Sequence, residues 1–118
     1  KDKKKAIFQT YTNELSSVQG IELPSERFGM DVNWHLFPAR VNPLKRKAIF
    51  SGLREAGIGV QVNYIPAYWH PAFNERGFKR GMYPNSDLFY SREISLPMHY
   101  GLSDGEVEFV IRNLIAQI

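Results

Sequence analysis

The stretch "REAGIGVQVNYIPAYWHPAF", Arg54 to Phe73, changes character in its middle. Its first residues end a helix. Ala48, Ile49, Gly52, Leu53 and Ala56 recur at helical spacing and make an apolar stripe. Asn42 reads as the N-cap, Pro43 as the first helical residue, and Gly57 as the residue that closes the helix. From Ile58 to Ile65 small or apolar residues alternate with Gln61 and Asn63, which predicts a strand. Val60, Val62 and Tyr64 then share one face, and Gln61, Asn63 and Ile65 the other. Pro66, Ala67, Tyr68, Trp69, His70, Pro71 and Phe73 follow without a period. A strand with one partly polar face, leaving a sheet into such a loop, can carry a binding surface at its end. The same aromatics also suit a plainer task, pinning a long loop onto the sheet. The two are compatible if Trp69 packs while Asn63 and Tyr68 face a ligand.

Outward from this stretch the pattern is helix, strand, helix, strand, with a strand and a helix at the end. Ile7, Tyr11, Leu15 and Val18 mark one face of a helix from Asp2 to about Val18, which Gly20 stops. "IELPSERFGMD" is loop. "NWHLFPARV" is read as a strand whose Pro38 cannot donate to a ladder, so an edge position or a kink is expected. Its face of Phe37, Ala39 and Val41 includes His35, expected half-buried. A short helix is expected from Asn85 to Arg92, capped by Asn85 or Ser86, and "EISLP" is a third strand. In the final helix Ser103 and Glu106 have capping-box spacing, and Val107, Val110, Ile111, Leu114 and Ile118 form its apolar face. The expected core comprises Ile7, Tyr11, Leu15, Leu36, Leu53, Val60, Val62, Leu96, Val110 and Leu114. This grammar gives an α/β (α+β) small domain, a three- to four-stranded small sheet covered by helices.

The 118 residues fit one domain, and 43% hydrophobic residues supply a core. With no cysteine there is no disulfide, thiolate site or Cys nucleophile. No run approaches the length of a membrane span, and no membrane partner is expected. A formal charge of +3 is mildly basic and singles out no anionic partner. "KDKKK" reads as the solvated face of the first helix rather than a nucleic-acid arm. His35, His70 and His99 lie far apart and match no ligand spacing, so no metal is expected. No GxSxG elbow presents Ser95 or Ser103 as a nucleophile. "GLREAGIG" puts its glycines in a helix and before a strand, the reverse of a dinucleotide loop.

Three segments, "NWHLFPARV", "REAGIGVQVNYIPAYWHPAF" and "GMYPNSDLFYSREISLPMHYGLSDGEVEFVIRNL", together resemble the C-terminal small domain of the DegT/DnrJ/StrS family of pyridoxal-phosphate-dependent nucleotide-sugar aminotransferases. The resemblance covers nearly the whole chain. "YIPAYWHPAF" with "EISLPMHYGLSD" is most similar to the subgroup that makes UDP-4-amino-4,6-dideoxy-N-acetyl-β-L-altrosamine, a pseudaminic acid precursor. The resemblance implies that residues 1–118 are the C-terminal small domain of a longer fold-type-I enzyme, without its N-terminal cofactor-binding large domain. The cofactor-bearing lysine would then lie upstream of Lys1. No lysine here matches its motif, so pyridoxal phosphate is not expected on this piece, which alone is expected to be inactive. The absence of cysteine suits a cytoplasmic location, and by the same resemblance the parent enzyme is expected to be a homodimer. It moves an amino group, from glutamate in the typical case, to a UDP-linked 4-keto-6-deoxy sugar. Gln61, Asn63, Tyr64, Ile65, Pro66 and Tyr68 would form one wall of the sugar-nucleotide site. Family members commonly carry His where Asn63 stands; an amide retains donor and acceptor but does not titrate. The competing reading is a stand-alone α/β module for RNA or a small anion. Against it, "WHLFPARV" lacks the closely spaced aromatics of an RNA-recognition strand, and no nucleic acid is expected as partner.

Overall fold

The computed structural model describes residues 2–26 and 29–118; Lys1, and Arg27 and Phe28 of the expected loop, lie outside the described residues. The chain runs α1 (Asp2–Leu15), β1 (Phe37–Arg40), α2 (Arg46–Glu55), a 3-10 turn (Ala67–Trp69), α3 (Pro71–Asn74), α4 (Pro84–Arg92), β2 (Glu93–Leu96) and α5 (Asp104–Gln117). β1 and β2 pair antiparallel, Phe37 opposite Leu96 and Arg40 opposite Glu93. Single bridges extend the sheet on both sides, Glu22 to Arg40 and Gln61 to Ser95. Four segments therefore lie side by side, but only the middle two are regular strands.

Alternation along the ladder decides what each residue does. Val41 donates to the Arg92 carbonyl across the β1–β2 pair, whereas Arg40 exchanges both its backbone bonds with Glu22. Pro38 has the parity of Arg40, so its missing N–H faces away from β2 and costs no bond in that ladder. The side chains of Phe37 and Ala39 lie with those of Ile94 and Leu96 on the face that the helices cover. Ile7, Phe8, Tyr11 and Leu15 of α1, Ile49 and Leu53 of α2, and Val107, Val110, Ile111 and Leu114 of α5 close the core. The Tyr11 ring packs 4.9 Å from that of Phe37. Its hydroxyl donates to the Pro97 carbonyl at 2.7 Å. Burial pushes that phenol well above its usual pKa, so it stays a donor at any working pH.

The ends of the helices follow local chemistry. Gly57, at φ +85°, ends α2. Its N–H donates to Arg54 and that of Ile58 to Leu53, the paired bonds of a Schellman cap. Ser103 and Glu106 form the expected capping box, each side chain accepting from the other's backbone. Elsewhere the boundaries move. Asn42 accepts from Leu44 N–H in a turn that precedes α2, whose cap is Lys45. Pro84 takes the first position of α4 with Tyr83 as cap, so Asn85 and Ser86 lie inside the helix. Here the fixed φ of proline sets the start rather than a side-chain acceptor. α1 ends at Leu15, three residues before Val18.

Eight of the ten expected core residues are buried; Leu36 and Val62 are half-buried. Leu36 sits just before β1, in opposite phase to buried Phe37. His35, expected half-buried, is exposed: it precedes β1 and lies beyond the reach of the strand's covered face. The expected strand 58–65 shortens to the Gln61 bridge, for a reason that lies in Glu93 and is given below. Among the described residues no helix is long and apolar enough to cross a membrane.

Candidate functional site

The Gln61–Ser95 bridge is a doubly bonded antiparallel pair: Gln61 N–H donates to Ser95 O, and Ser95 N–H to Gln61 O. Carrying that register two residues further would set Asn63 opposite Glu93 as the next bonded pair. The chain does something else. Asn63 N–H donates to Glu93 Oε2 at 2.7 Å, a side-chain oxygen standing where a backbone carbonyl is expected. The Glu93 carbonyl is taken instead by Arg46, whose Nη1 also donates to Tyr90 O. The ladder stops, and residues 62–66 leave the sheet.

Glu93 is 0% exposed. Its other carboxylate oxygen accepts from the Ser95 hydroxyl, its neighbour on the same strand face. Desolvation raises its pKa and outweighs the bonds from Ser95 and Asn63 and the field of Arg46, which act the other way.

The expected wall residues divide in two along the exit. Tyr64 and Ile65 are 68% and 50% exposed, while Pro66 is buried beneath the turn that follows. The Asn63 side chain is half-buried, and its Oδ1 is enclosed with no hydrogen-bond partner. Gln61 is exposed at the bridge and lines a cleft of about 380 Å³ together with His35 and His99. Sequence spacing gave no hint that these two histidines share a cleft. His70 is elsewhere, before α3, and among the described residues no group of three or more His, Asp or Glu could hold a metal.

Tyr68 turns inward. Its hydroxyl donates to Asp87 Oδ1, which also accepts from Trp69 Nε1 at 2.9 Å, while Oδ2 accepts from Gly81 N–H at 2.8 Å. The Arg80 guanidinium lies 4.3 Å over the Trp69 ring, and Tyr83 packs edge-on to Tyr68. Asp87 thus gathers both ends of the 66–84 insert, and an acid in the first turn of α4 also meets a favourable dipole. Tyr68, expected to face a ligand, is buried and faces Asp87 together with Trp69, whereas Tyr64 and Ile65 face outward.

Desolvation tends to raise the Asp87 pKa, but the bonds from Tyr68, Gly81 and Trp69, with the charge of Arg80, hold it below the ordinary aspartate value. A depressed pKa means stability that is present above the unfolded value and lost as pH falls through the folded one. The insert is therefore expected to loosen in an acid transition below the usual aspartate range. The emission of Trp69, recorded in a Trp34→Phe background, should follow it. Asp87→Asn removes the titrating group and sets an NH2 against a donor, so the insert should be loose at every pH and the transition absent. A Trp69 signal unchanged in both experiments would show that Asp87 does not anchor the insert.

The model of the DegT/DnrJ/EryC1/StrS aminotransferase family matches residues 1–115, and the chain belongs to that family. It is 32% identical over 111 residues to the erythromycin biosynthesis sensory transduction protein EryC1 of Saccharopolyspora erythraea, covering 93% of this chain and 30% of that protein. It is 34% identical over 79 residues to the UDP-4-amino-4,6-dideoxy-N-acetyl-β-L-altrosamine transaminase of Campylobacter jejuni, covering 64% of this chain and 21% of that one. The putative sugar aminotransferase Spr1654 of Streptococcus pneumoniae, in its PLP form, superposes with a TM-score of 0.90 at 28% identity over 98% of this chain and 30% of that one. The chain spans about 30% of the length of the curated relatives it matches first.

The family implies pyridoxal phosphate, and the residues described here do not form a site for it. A Schiff-base lysine works by losing its proton, through burial or a neighbouring cation. Lys3, Lys5, Lys45, Lys47 and Lys79 are exposed, and Lys4 is half-buried against Tyr100 at the surface. No chemical step at the cofactor can be assigned to these residues.

Proposed function

We propose that residues 1–118 act as the C-terminal small domain of a cytoplasmic, homodimeric nucleotide-sugar aminotransferase, and that Gln61, Asn63, Tyr64, Ile65, Pro66 and Tyr68 build one wall of its sugar-nucleotide site. The substrate class is a UDP-linked 4-keto-6-deoxy sugar, with glutamate as amino donor. The product of the subgroup reading is UDP-4-amino-4,6-dideoxy-N-acetyl-β-L-altrosamine, supported by the partial likeness to the Campylobacter transaminase. Cofactor and lysine belong, on this reading, to the rest of the enzyme.

One observation carries the reading: Asn63 has an enclosed amide oxygen with no partner, beside two exposed apolar side chains. An enclosed polar atom without a bond is costly, and a rotation of the side chain toward the exposed Tyr64 and Ile65 would let a ligand hydroxyl or N–H satisfy it. A half-turn of the amide presents its NH2 instead, so a neutral sugar group can give or take the bond. Tyr64 and Ile65 supply apolar surface for the sugar ring, Pro66 fixes where the wall turns, and Tyr68 holds the loop behind it through Asp87. None of these groups needs to move a proton. They bind and orient.

In the full-length enzyme, Asn63→Ala should lower kcat/KM for the keto sugar by about two- to twelvefold, the loss of one neutral hydrogen bond worth roughly 0.5–1.5 kcal/mol. The cofactor spectrum and the glutamate half-reaction should barely change. A loss shared by both half-reactions would point to folding or cofactor, and no loss in either would make Asn63 structural and strike its contact from the wall.

A further inference from the structure

We infer that Glu93 is a positioning residue for the sugar-nucleotide wall: its buried carboxylate replaces a ladder acceptor and so fixes where Asn63, Tyr64 and Ile65 stand. The inference rests on the reading of that segment proposed above.

Three features of the site lead to it. The backbone register would pair Asn63 with Glu93, yet the Asn63 amide meets Glu93 Oε2 instead. A carboxylate oxygen reaches beyond the strand's own carbonyl, so the 62–66 segment is held off the sheet rather than zipped onto it. The vacated Glu93 carbonyl is capped by Arg46 from α2, which keeps the sheet from reclaiming it. The carboxylate is itself oriented by the Ser95 hydroxyl. The Asn63 side-chain oxygen, by contrast, is enclosed without a hydrogen-bond partner. A buried carboxyl group is a costly way to end a ladder that a loop residue could end freely. The expense is explained if the position of the segment matters.

The test uses two substitutions of nearly equal volume in the full-length enzyme. Glu93→Gln keeps an acceptor for Asn63 and gains a donor for Ser95. Glu93→Met fills the space and keeps neither. The probe is the UDP-linked 4-keto-6-deoxy-N-acetyl sugar that yields the altrosamine product, with the glutamate half-reaction measured in parallel. Glu93→Met should raise the sugar KM about tenfold, leaving kcat and the glutamate half-reaction within about twofold; Glu93→Gln should stay within about twofold throughout. Amide exchange at Asn63 should be slow in the wild type and in Glu93→Gln, and fast in Glu93→Met. Equal losses in both half-reactions, a silent Glu93→Met, or a Glu93→Gln as damaged as Glu93→Met would overturn the inference. So would rapid exchange at Asn63 in the wild type, a result that needs no variant to fold. Asn63→Ala separates the two proposals. If it is silent while Glu93→Met raises the sugar KM, the inference holds through Tyr64 and Ile65, and the Asn63 contact falls. If Asn63→Ala is selective and Glu93→Met silent, the wall reading stands and the inference fails. A wild-type enzyme that leaves this sugar untouched overturns both.

Discussion

Replacing Phe37 by alanine is expected to destabilise the fold by about 3–5 kcal/mol, the range for truncating a large buried aromatic. Phe37 is fully buried in β1, opposite Leu96 of β2. Its ring meets Phe8 edge-on at 5.3 Å and Tyr11 at 4.9 Å, and Phe8 stacks in turn on Trp34 at 4.2 Å. Removing the ring opens a cavity where α1 meets the sheet, and the fixed Tyr11 hydroxyl bond to Pro97 limits how far the helix can collapse into it. Phe37→Leu should recover most of the loss, because an aliphatic side chain of nearly the same volume refills the space. Denaturant unfolding, with Trp34 as the local probe, measures both. A loss below about 1 kcal/mol for Phe37→Ala would mean that α1 and β1 repack freely, and that the aromatic cluster is not what joins them.

Phe37 also shows how far the sequence could be read. Alternation placed Phe37, Ala39 and Val41 on one face, and that face is the buried one. It did not tell where the strand begins, so His35 was assigned to a face it never reaches and Leu36 to a core it only borders. Signals that act within a turn of chain were legible: the Ser103–Glu106 box, the Gly57 cap and the stripes of α1, α2 and α5. The start of α4 falls one residue earlier than the Asn85 and Ser86 side chains suggest, because the fixed φ of the Pro84 ring sets it. Residues 58–65 misled for a different reason. Their alternation is that of a strand, but at Asn63 the backbone N–H meets a carboxylate thirty residues away instead of the ladder. No period or propensity in the segment reports a distant acceptor. For the site the same division holds. The dense exit into residues 66–73 was legible, whereas nothing local marked Tyr64 and Ile65 as an exposed pair, or Glu93 and Arg46 as the groups that meet where the ladder ends. The available clue was a glutamate opening the expected strand "EISLP".

That glutamate supplies a second large effect, on stability rather than on kinetics. Glu93→Met is expected to cost about 1–3 kcal/mol, the usual penalty for leaving a buried donor without an acceptor, here Asn63 N–H. Glu93→Gln should cost nothing at neutral pH and is expected to stabilise. The sign follows from the raised pKa of Glu93, whose folded state holds a proton more tightly than the unfolded chain does. Its contribution to stability is then fully present below the ordinary glutamate pKa and is lost as pH rises through the raised one. The protonated acid satisfies the junction as well as the carboxylate does: its O–H can donate to Ser95 while the other oxygen still accepts from Asn63. Glutamine mimics that neutral form at every pH. The stability of Glu93→Gln relative to wild type should therefore increase as pH is raised above the ordinary glutamate value and level off beyond the folded pKa. Taking the difference between variant and wild type matters, because Asp87 and Glu106 have depressed pKa values and act with the opposite sign in both proteins. Urea midpoints of the three proteins from acid to neutral pH measure the effect. A Glu93→Gln protein that falls progressively behind wild type as pH rises would mean that Arg46 holds the carboxylate ionised, and that the charge of Glu93, rather than its acceptor oxygen, secures the end of the sheet.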